Sequence, residues 1–244
     1  MSNADYANQL VESLGLDDPP VAIAFLDQPP AGVAAGPAAV PSACAFWREA
    51  EKGVFFATAE RHFNCPIGSF VMGFDLPKAI SDELMELIGT MTKCGYIAAE
   101  EPGHIPTNEK KSSTGALYGP LEDFPVAPDA VVVWLTPAQA MIWSEAAGSA
   151  EWGGQAPASV RGRPACATIP AARAMGTSAL SLGCAGMRTF TGVAGVKMLA
   201  VIAGSNLGKA SGVIAAMRGV NDTMEAFYRD RAAKLTVARG SESR

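Results

Sequence analysis

AVVVWLTPAQ, residues 130–139, decides how the chain is read. Three consecutive valines between apolar neighbours favour an extended backbone, and Pro137 ends the run, so 130–135 reads as a buried strand closed by a turn. VAIAFLDQPP, 21–30, has the same form: a short apolar run stopped by prolines. KMLAVIAG, 197–204, is a third strand of this kind. Between these runs the periodicity changes. SDELMELIGTMTKCGYI, 81–97, carries Leu84, Leu87, Ile88 and Met91 at helical spacing, with Ser81 as the expected N-cap. Cys94 continues that stripe, and core packing explains it. NDTMEAFYRDRAAKL, 221–235, reads as a closing helix, and 236–244 as a flexible tail. The stretch 98–120 is rich in turn formers and reads as a long loop or lid.

Two longer stretches share an order of features. Cys44 to Gly73 and Cys166 to Gly192 each run Cys-Ala, a helix-compatible segment, a glycine (Gly53 or Gly176), an extended segment and a second cysteine. In each, a glycine follows that cysteine by two or three residues and another follows it by eight. Each stretch also comes after a strand with a proline-marked end. Chance coincidence in an alanine-rich chain is the plain alternative to a duplicated βαβ-type unit. The expected fold is a single α/β domain over 1–235, a mixed sheet with flanking helices. Its two pseudo-symmetric halves cover about 20–97 and 128–220.

Composition narrows the function. The formal charge of −5 gives no basic footprint for a phosphate backbone, so nucleic acid is not expected as a partner. No run approaches the ~18 apolar residues of a membrane-spanning helix, and the start lacks a secretion signal. No membrane partner and a cytoplasmic location are therefore expected. Five cysteines, an odd number, point to thiols or metal ligands rather than a disulfide framework.

If the halves repeat, Cys65 and Cys184 can meet across a pseudo-twofold axis with Cys44 and Cys166 behind them. Four thiolates are soft ligands that suit an iron–sulfur cluster or zinc. Cys65 precedes Pro66, which places it at a helix start where amides and the dipole lower a thiol's pKa. Cys184 lies between Gly183 and Gly186, with Arg188 following as a cation for an anionic ligand. The plain reading of each cysteine is a small buried apolar residue. His62 is a candidate ligand or proton carrier against a solvated loop histidine. His104 could close over a ligand from the 98–120 loop, against a turn histidine. GSNLGKASG, 204–212, lacks the order of a phosphate-binding loop.

The segments CAFWREAEKGVFFATAERHFNCPIG and SLGCAGMRTFTG, with PDAVVVWLTPAQAM between them, resemble an uncharacterised prokaryotic family of unknown function labelled ArCR. The resemblance runs from about residue 21 to about 235. Cys44, the Cys65-Pro-x-Gly68 turn and the Cys184-x-Gly186-x-Arg188 turn carry it. It implies a mixed α/β domain and no chemistry.

The residues together lead to a cysteine-centred metal or iron–sulfur redox protein that acts on or senses a small molecule, such as an iron–sulfur dependent oxidoreductase. Cys44, Cys65, Cys166 and Cys184 are its expected cofactor and metal ligands, with [4Fe–4S] first and zinc or haem as alternatives. Arg188, His62 and His104 are its candidate substrate-binding residues, and an electron-transfer protein is a candidate partner. The alternative is a metal-free protein that binds an anionic small molecule or works as a thiol-dependent enzyme.

Overall fold

The computed structural model describes residues 1–38, 40–109, 114–146 and 160–242, with side chains as far as 235. In chain order its helices are α1 (Asn3–Leu14), α2 (Ala45–Ala50), α3 (Ala59–His62), α4 (Pro66–Val71), α5 (Lys78–Lys93), α6 (Pro137–Ala146), α7 (Thr168–Met175), α8 (Ala185–Thr191) and α9 (Leu207–Glu242). Its strands are β1 (Val21–Leu26), β2 (Ala34–Ala35), β3 (Phe55–Thr58), β4 (Gly115–Pro120), β5 (Ala130–Leu135), β6 (Val160–Arg161), β7 (Ser178–Ser181) and β8 (Met198–Ala203). Among the described residues these strands form one mixed sheet of order β2-β3-β4-β1-β5-β8-β7-β6.

The order reads alike from both edges. β1 and β5 pair antiparallel at the centre, β4 and β8 flank them antiparallel, β3 and β7 follow antiparallel, and β2 and β6 close the edges as parallel strands. The registers agree as well. Val21 faces Pro120 and Leu26 faces Gly115 in one half, while Ala130 faces Ala203 and Leu135 faces Met198 in the other. Even a strand-end hydrogen bond recurs: Leu121 N–H donates to Pro20 O at 2.8 Å and Gly204 N–H to Asp129 O at 2.9 Å. Each half contains one parallel crossover, β2-α2-β3 or β6-α7-β7.

Alternation along the strands divides the core. Ala130, Val132 and Trp134 of β5 meet the helix layer that includes α2, α4, α7 and α8, while Val131, Val133 and Leu135 meet α1, α6 and α9. A strand buried on both faces in this way needs a continuous apolar run, which is why AVVVWL lacks polar alternation. α1 is held at its start by a capping box between Ser2 and Asp5.

Four local expectations are corrected. Residues 115–120 do not belong to a loop: GALYGP is a fully buried interior strand. The expected lid is thereby limited to 98–114, of which 110–113 lie outside the described residues, and it contains a 3-10 turn at Glu101–His104. α5 begins at Lys78 after Pro77, ahead of the Ser81 cap. Its stripe is peripheral, with Leu84 its one buried residue, and Cys94 is exposed at the helix end. The expected tail 236–244 is helical through Glu242, and 243–244 lie outside the described residues.

Candidate functional site

Cys44, Cys65, Cys166 and Cys184 all lie on the face of the sheet that carries α2, α4, α7 and α8. Cys44 precedes α2 and Cys166 sits in the 3-10 turn Ala165–Ala167 ahead of α7, so each ends the segment after an edge strand. Cys65 and Cys184 are the residues just before α4 and α8. The elements interlock across the halves: α2 packs on α8, and α4 packs on the turn that holds Cys166. Each inner cysteine of one half is thus delivered beside the outer cysteine of the other.

The electrostatics report the same convergence. Every pair among the four thiols is close enough for one negative charge to raise the other's pKa. The four differ in depth: Cys44 and Cys166 are buried, whereas Cys65 and Cys184 are half-buried.

The two outer turns share a device. Met187 N–H donates to Cys184 Sγ at 3.4 Å, and the amide three residues after Cys65, that of Gly68, also donates to its sulfur, together with Ala43 N–H. Gly68 is required by packing, because a Cβ there would lie 2.5 Å from Ala43 Cβ and 3.0 Å from Cys65 Sγ. That absence lets the segment leading into Cys44 close against the Cys65 turn. Gly183 has φ +89°, in the left-handed region, and so turns the chain into Cys184.

The expected low thiol pKa at Cys65 is overturned. Burial pushes Cys65 up despite its two amide donors, pushes Cys44 up to about 12, and holds Cys166 well above the ordinary thiol range. α4 spans six residues, a short dipole set against strong desolvation.

His62 is neither a loop residue nor open to a substrate. It is 1% exposed, packed among the rings of Phe46, Phe74 and Tyr118. Its Nδ1 donates to Thr58 O at 2.8 Å, because a carbonyl can only accept, which leaves Nε2 to accept from the Tyr118 hydroxyl at 2.9 Å. Burial lowers its pKa to about 4, so it is neutral near pH 7. Arg188 is likewise committed, donating to the carbonyls of Leu182, Gly195 and Lys197 at 2.6, 3.3 and 3.0 Å. It closes the α8 turn instead of facing a ligand. His104 is exposed and lines a cleft with Gly183, the neighbour of Cys184.

Among the described residues, no three of the His, Cys, Asp and Glu side chains are grouped as a single metal ion requires. Two buried polar atoms near the inner cysteines in sequence have no hydrogen-bond partner among the described residues: Trp47 Nε1, three residues after Cys44, and Thr168 Oγ1, two after Cys166. Also among the described residues, no helix is long and apolar enough to cross a membrane.

A family profile described as uncharacterised ArCR matches residues 9–211, a span that takes in all eight strands and all four clustered cysteines. The chain belongs to the uncharacterised ArCR family. The match starts earlier and ends sooner than the resemblance read from sequence: it begins within α1 and ends five residues into α9. No curated protein and no solved structure matches the chain at a significant level. As an ArCR protein the chain inherits no established chemistry, so the cysteine cluster itself must carry the functional reading.

Proposed function

We propose that this ArCR protein is a redox protein that holds an iron–sulfur cluster, [4Fe–4S], between its halves through Cys44, Cys65, Cys166 and Cys184, and acts on or senses a small molecule beside it. The observation that carries the reading is the convergence of four thiols, two from each half, over cross-packed elements. Four cysteine sulfurs are the ligand set of such a cluster. A multi-iron cluster spreads its four sulfurs around several metal atoms, whereas zinc gathers them on one.

Burial supports the same choice. Thiols held above their ordinary pKa are poor nucleophiles at neutral pH, which counts against a metal-free thiol enzyme built on Cys44, Cys65 or Cys166. A metal removes the thiol proton on binding and neutralises the mutual repulsion of the thiolates. When bound, the cluster supplies one-electron chemistry, and an electron-transfer protein is the partner that such chemistry calls for. The orphaned Trp47 Nε1 and Thr168 Oγ1 are candidate hydrogen-bond partners for sulfur or water around the group.

The test is elemental analysis and a visible spectrum of protein purified without oxygen. Iron and sulfide in similar amounts, with broad brown absorption that reductant bleaches, are expected. Protein free of iron and colour would transfer the cysteines to the metal-free, anion-binding reading, and a sharp intense band would assign haem.

A further inference from the structure

The two residues just before each outer cysteine line a cleft, and the two clefts occupy corresponding places in the halves. One, of about 590 Å³, is lined by Val40, Pro41, Phe63 and Asn64 together with Ile80 and Glu83 of α5. The other, of about 600 Å³, has Gly162, Arg163, Leu182 and Gly183 at the equivalent positions. The correspondence follows from the cysteines: the first two residues of each set stand four and three before the inner cysteine, the last two stand two and one before the outer. Size and placement match. Charge does not.

The N-terminal cleft has Glu83 as its one charged wall residue. In the C-terminal cleft Arg163 replaces Pro41, and Arg161 of β6 joins it. Neither arginine has a carboxylate partner among the described residues. Arg163 lies with its guanidinium carbon 4.2 Å over the centre of the Tyr96 ring, a cation–π contact that does not itself use the N–H groups. Tyr96 in turn accepts from Ala185 N–H at 3.1 Å, which ties this pose to the start of α8 beside Cys184. Arg161 donates to Met175 Sδ at 2.9 Å, while its Nε is buried with no partner among the described residues. Glu101, the acid in the wall, is engaged by Ala98 N–H at 2.9 Å.

Apart from His104 and the glycines, apolar groups form the rest of the wall: Ile105, Pro106, Val160 and Leu182, with Ala167 next to Cys166. Two under-satisfied guanidinium groups above an apolar surface suit a carboxylate on an apolar body better than a bare inorganic anion, which has nothing to lay against that surface.

We propose that this C-terminal cleft is the ligand pocket of the cysteine site and takes a small organic carboxylate, held by Arg161 and Arg163 with its apolar body against Ile105 and Leu182. The proposal rests on the cluster reading for the ligand's role but not for its binding. The contrast between the clefts is one of charge: the C-terminal one is lined by two arginines, the N-terminal one by none.

Calorimetric titration of the full chain, as purified without oxygen, tests this with benzoate, benzamide and inorganic phosphate as probes. Saturable binding of benzoate in the millimolar range or tighter is expected, with benzamide and phosphate at least tenfold weaker. Arg161→Gln and Arg163→Gln, each checked for an unchanged unfolding midpoint, should each weaken benzoate about tenfold, as the loss of a charge-assisted contact implies. Glu83→Gln in the other cleft should leave it unchanged. Absence of saturable benzoate binding, equal binding of benzamide, or indifference to both arginine variants would overturn the pocket. Tighter binding of phosphate than benzoate would overturn the organic ligand class. None of these readouts uses colour or iron, so colourless protein that binds benzoate through Arg161 and Arg163 would sink the cluster and keep the pocket.

Discussion

The two halves of this sheet share registers, crossovers and the placing of paired cysteines, yet they carry different side chains at matching points. Tyr118 on β4 corresponds to Val201 on β8, because each lies fourth in a six-residue strand with the same partner register. The N-terminal half surrounds that tyrosine with Phe46, Phe55 and His62, whereas the C-terminal half has aliphatic residues in the same row. Gly68 follows Cys65 where Met187 follows Cys184. The N-terminal half is the aromatic one, and the C-terminal half is cationic at its mouth. Backbone hydrogen bonding constrains register but not these side chains, so the repeated frame can hold its sulfurs symmetrically while only one side is shaped for a ligand.

The largest expected effect breaks the symmetry of the sulfurs. Cys44→Ala, Cys65→Ala, Cys166→Ala and Cys184→Ala should each lose most of the iron and visible absorption of anaerobically purified protein, since a missing thiolate cannot be supplied from solvent. Retention by the Cys44 and Cys166 variants alone would reduce the inner pair to core thiols. Gly68→Ala sharpens the comparison without removing a ligand. Its new Cβ meets Ala43, so it should lower iron content by separating Cys44 from Cys65, whereas Gly186→Ala in the other turn, where the nearest atom is Phe190 Cε2 at 4.0 Å, should keep it.

His62 gives the next effect, one that belongs to the N-terminal half. Its folded pKa of about 4 lies below the ~6.5 of an unfolded histidine, so the unfolded chain takes up the proton first. This contribution to stability is complete above the unfolded value and is lost as pH falls from there toward 4. Between pH 7 and pH 5 the loss should be roughly 2 kcal/mol in urea unfolding. His62→Gln should abolish this part of the slope. An unaltered slope would show that His62 does not sit neutral in its cage. Tyr118→Phe leaves Nε2 without its donor and should cost about 1–2 kcal/mol at pH 7.

What sequence made legible follows the same division. Strong local signals, the valine run of β5 and the apolar run of β1, specify their strands, and the shared order of cysteines and glycines points to both outer turns. β4 is hidden in the sequence because Gly115, Gly119 and Pro120 are turn formers. Its glycines serve close packing instead: a Cβ at Gly119 would lie 2.7 Å from Val54 Cγ2. Losing β4 hid Tyr118, and with it the partner that holds His62 from 56 residues away. Thiol pKa direction failed for a related reason, since helix-start chemistry is local and burial is a property of the assembled layer. The arginine cleft was invisible because Arg161 and Arg163 meet Gly183 and His104 only after β6 joins the sheet edge.

Cys94 gives the smallest effect and the control for all the others. Helical spacing put it on an apolar stripe, but α5 lies outside the main core with Leu84 as its buried contact, so the last turn of that stripe has nothing to pack against. The thiol is exposed and donates weakly to Met91 O at 3.3 Å. Cys94→Ala should therefore shift stability by no more than about 0.5 kcal/mol and leave iron content unchanged. The same exposure predicts that iodoacetamide modifies Cys94 first in the native protein, with the four clustered thiols reacting only after unfolding or loss of iron. Mass spectrometry of the alkylated peptides reads this directly. Early modification of Cys65 or Cys184 alongside Cys94 in iron-loaded protein would mean that the outer sulfurs are free thiols, and the cluster would lose half of its ligands.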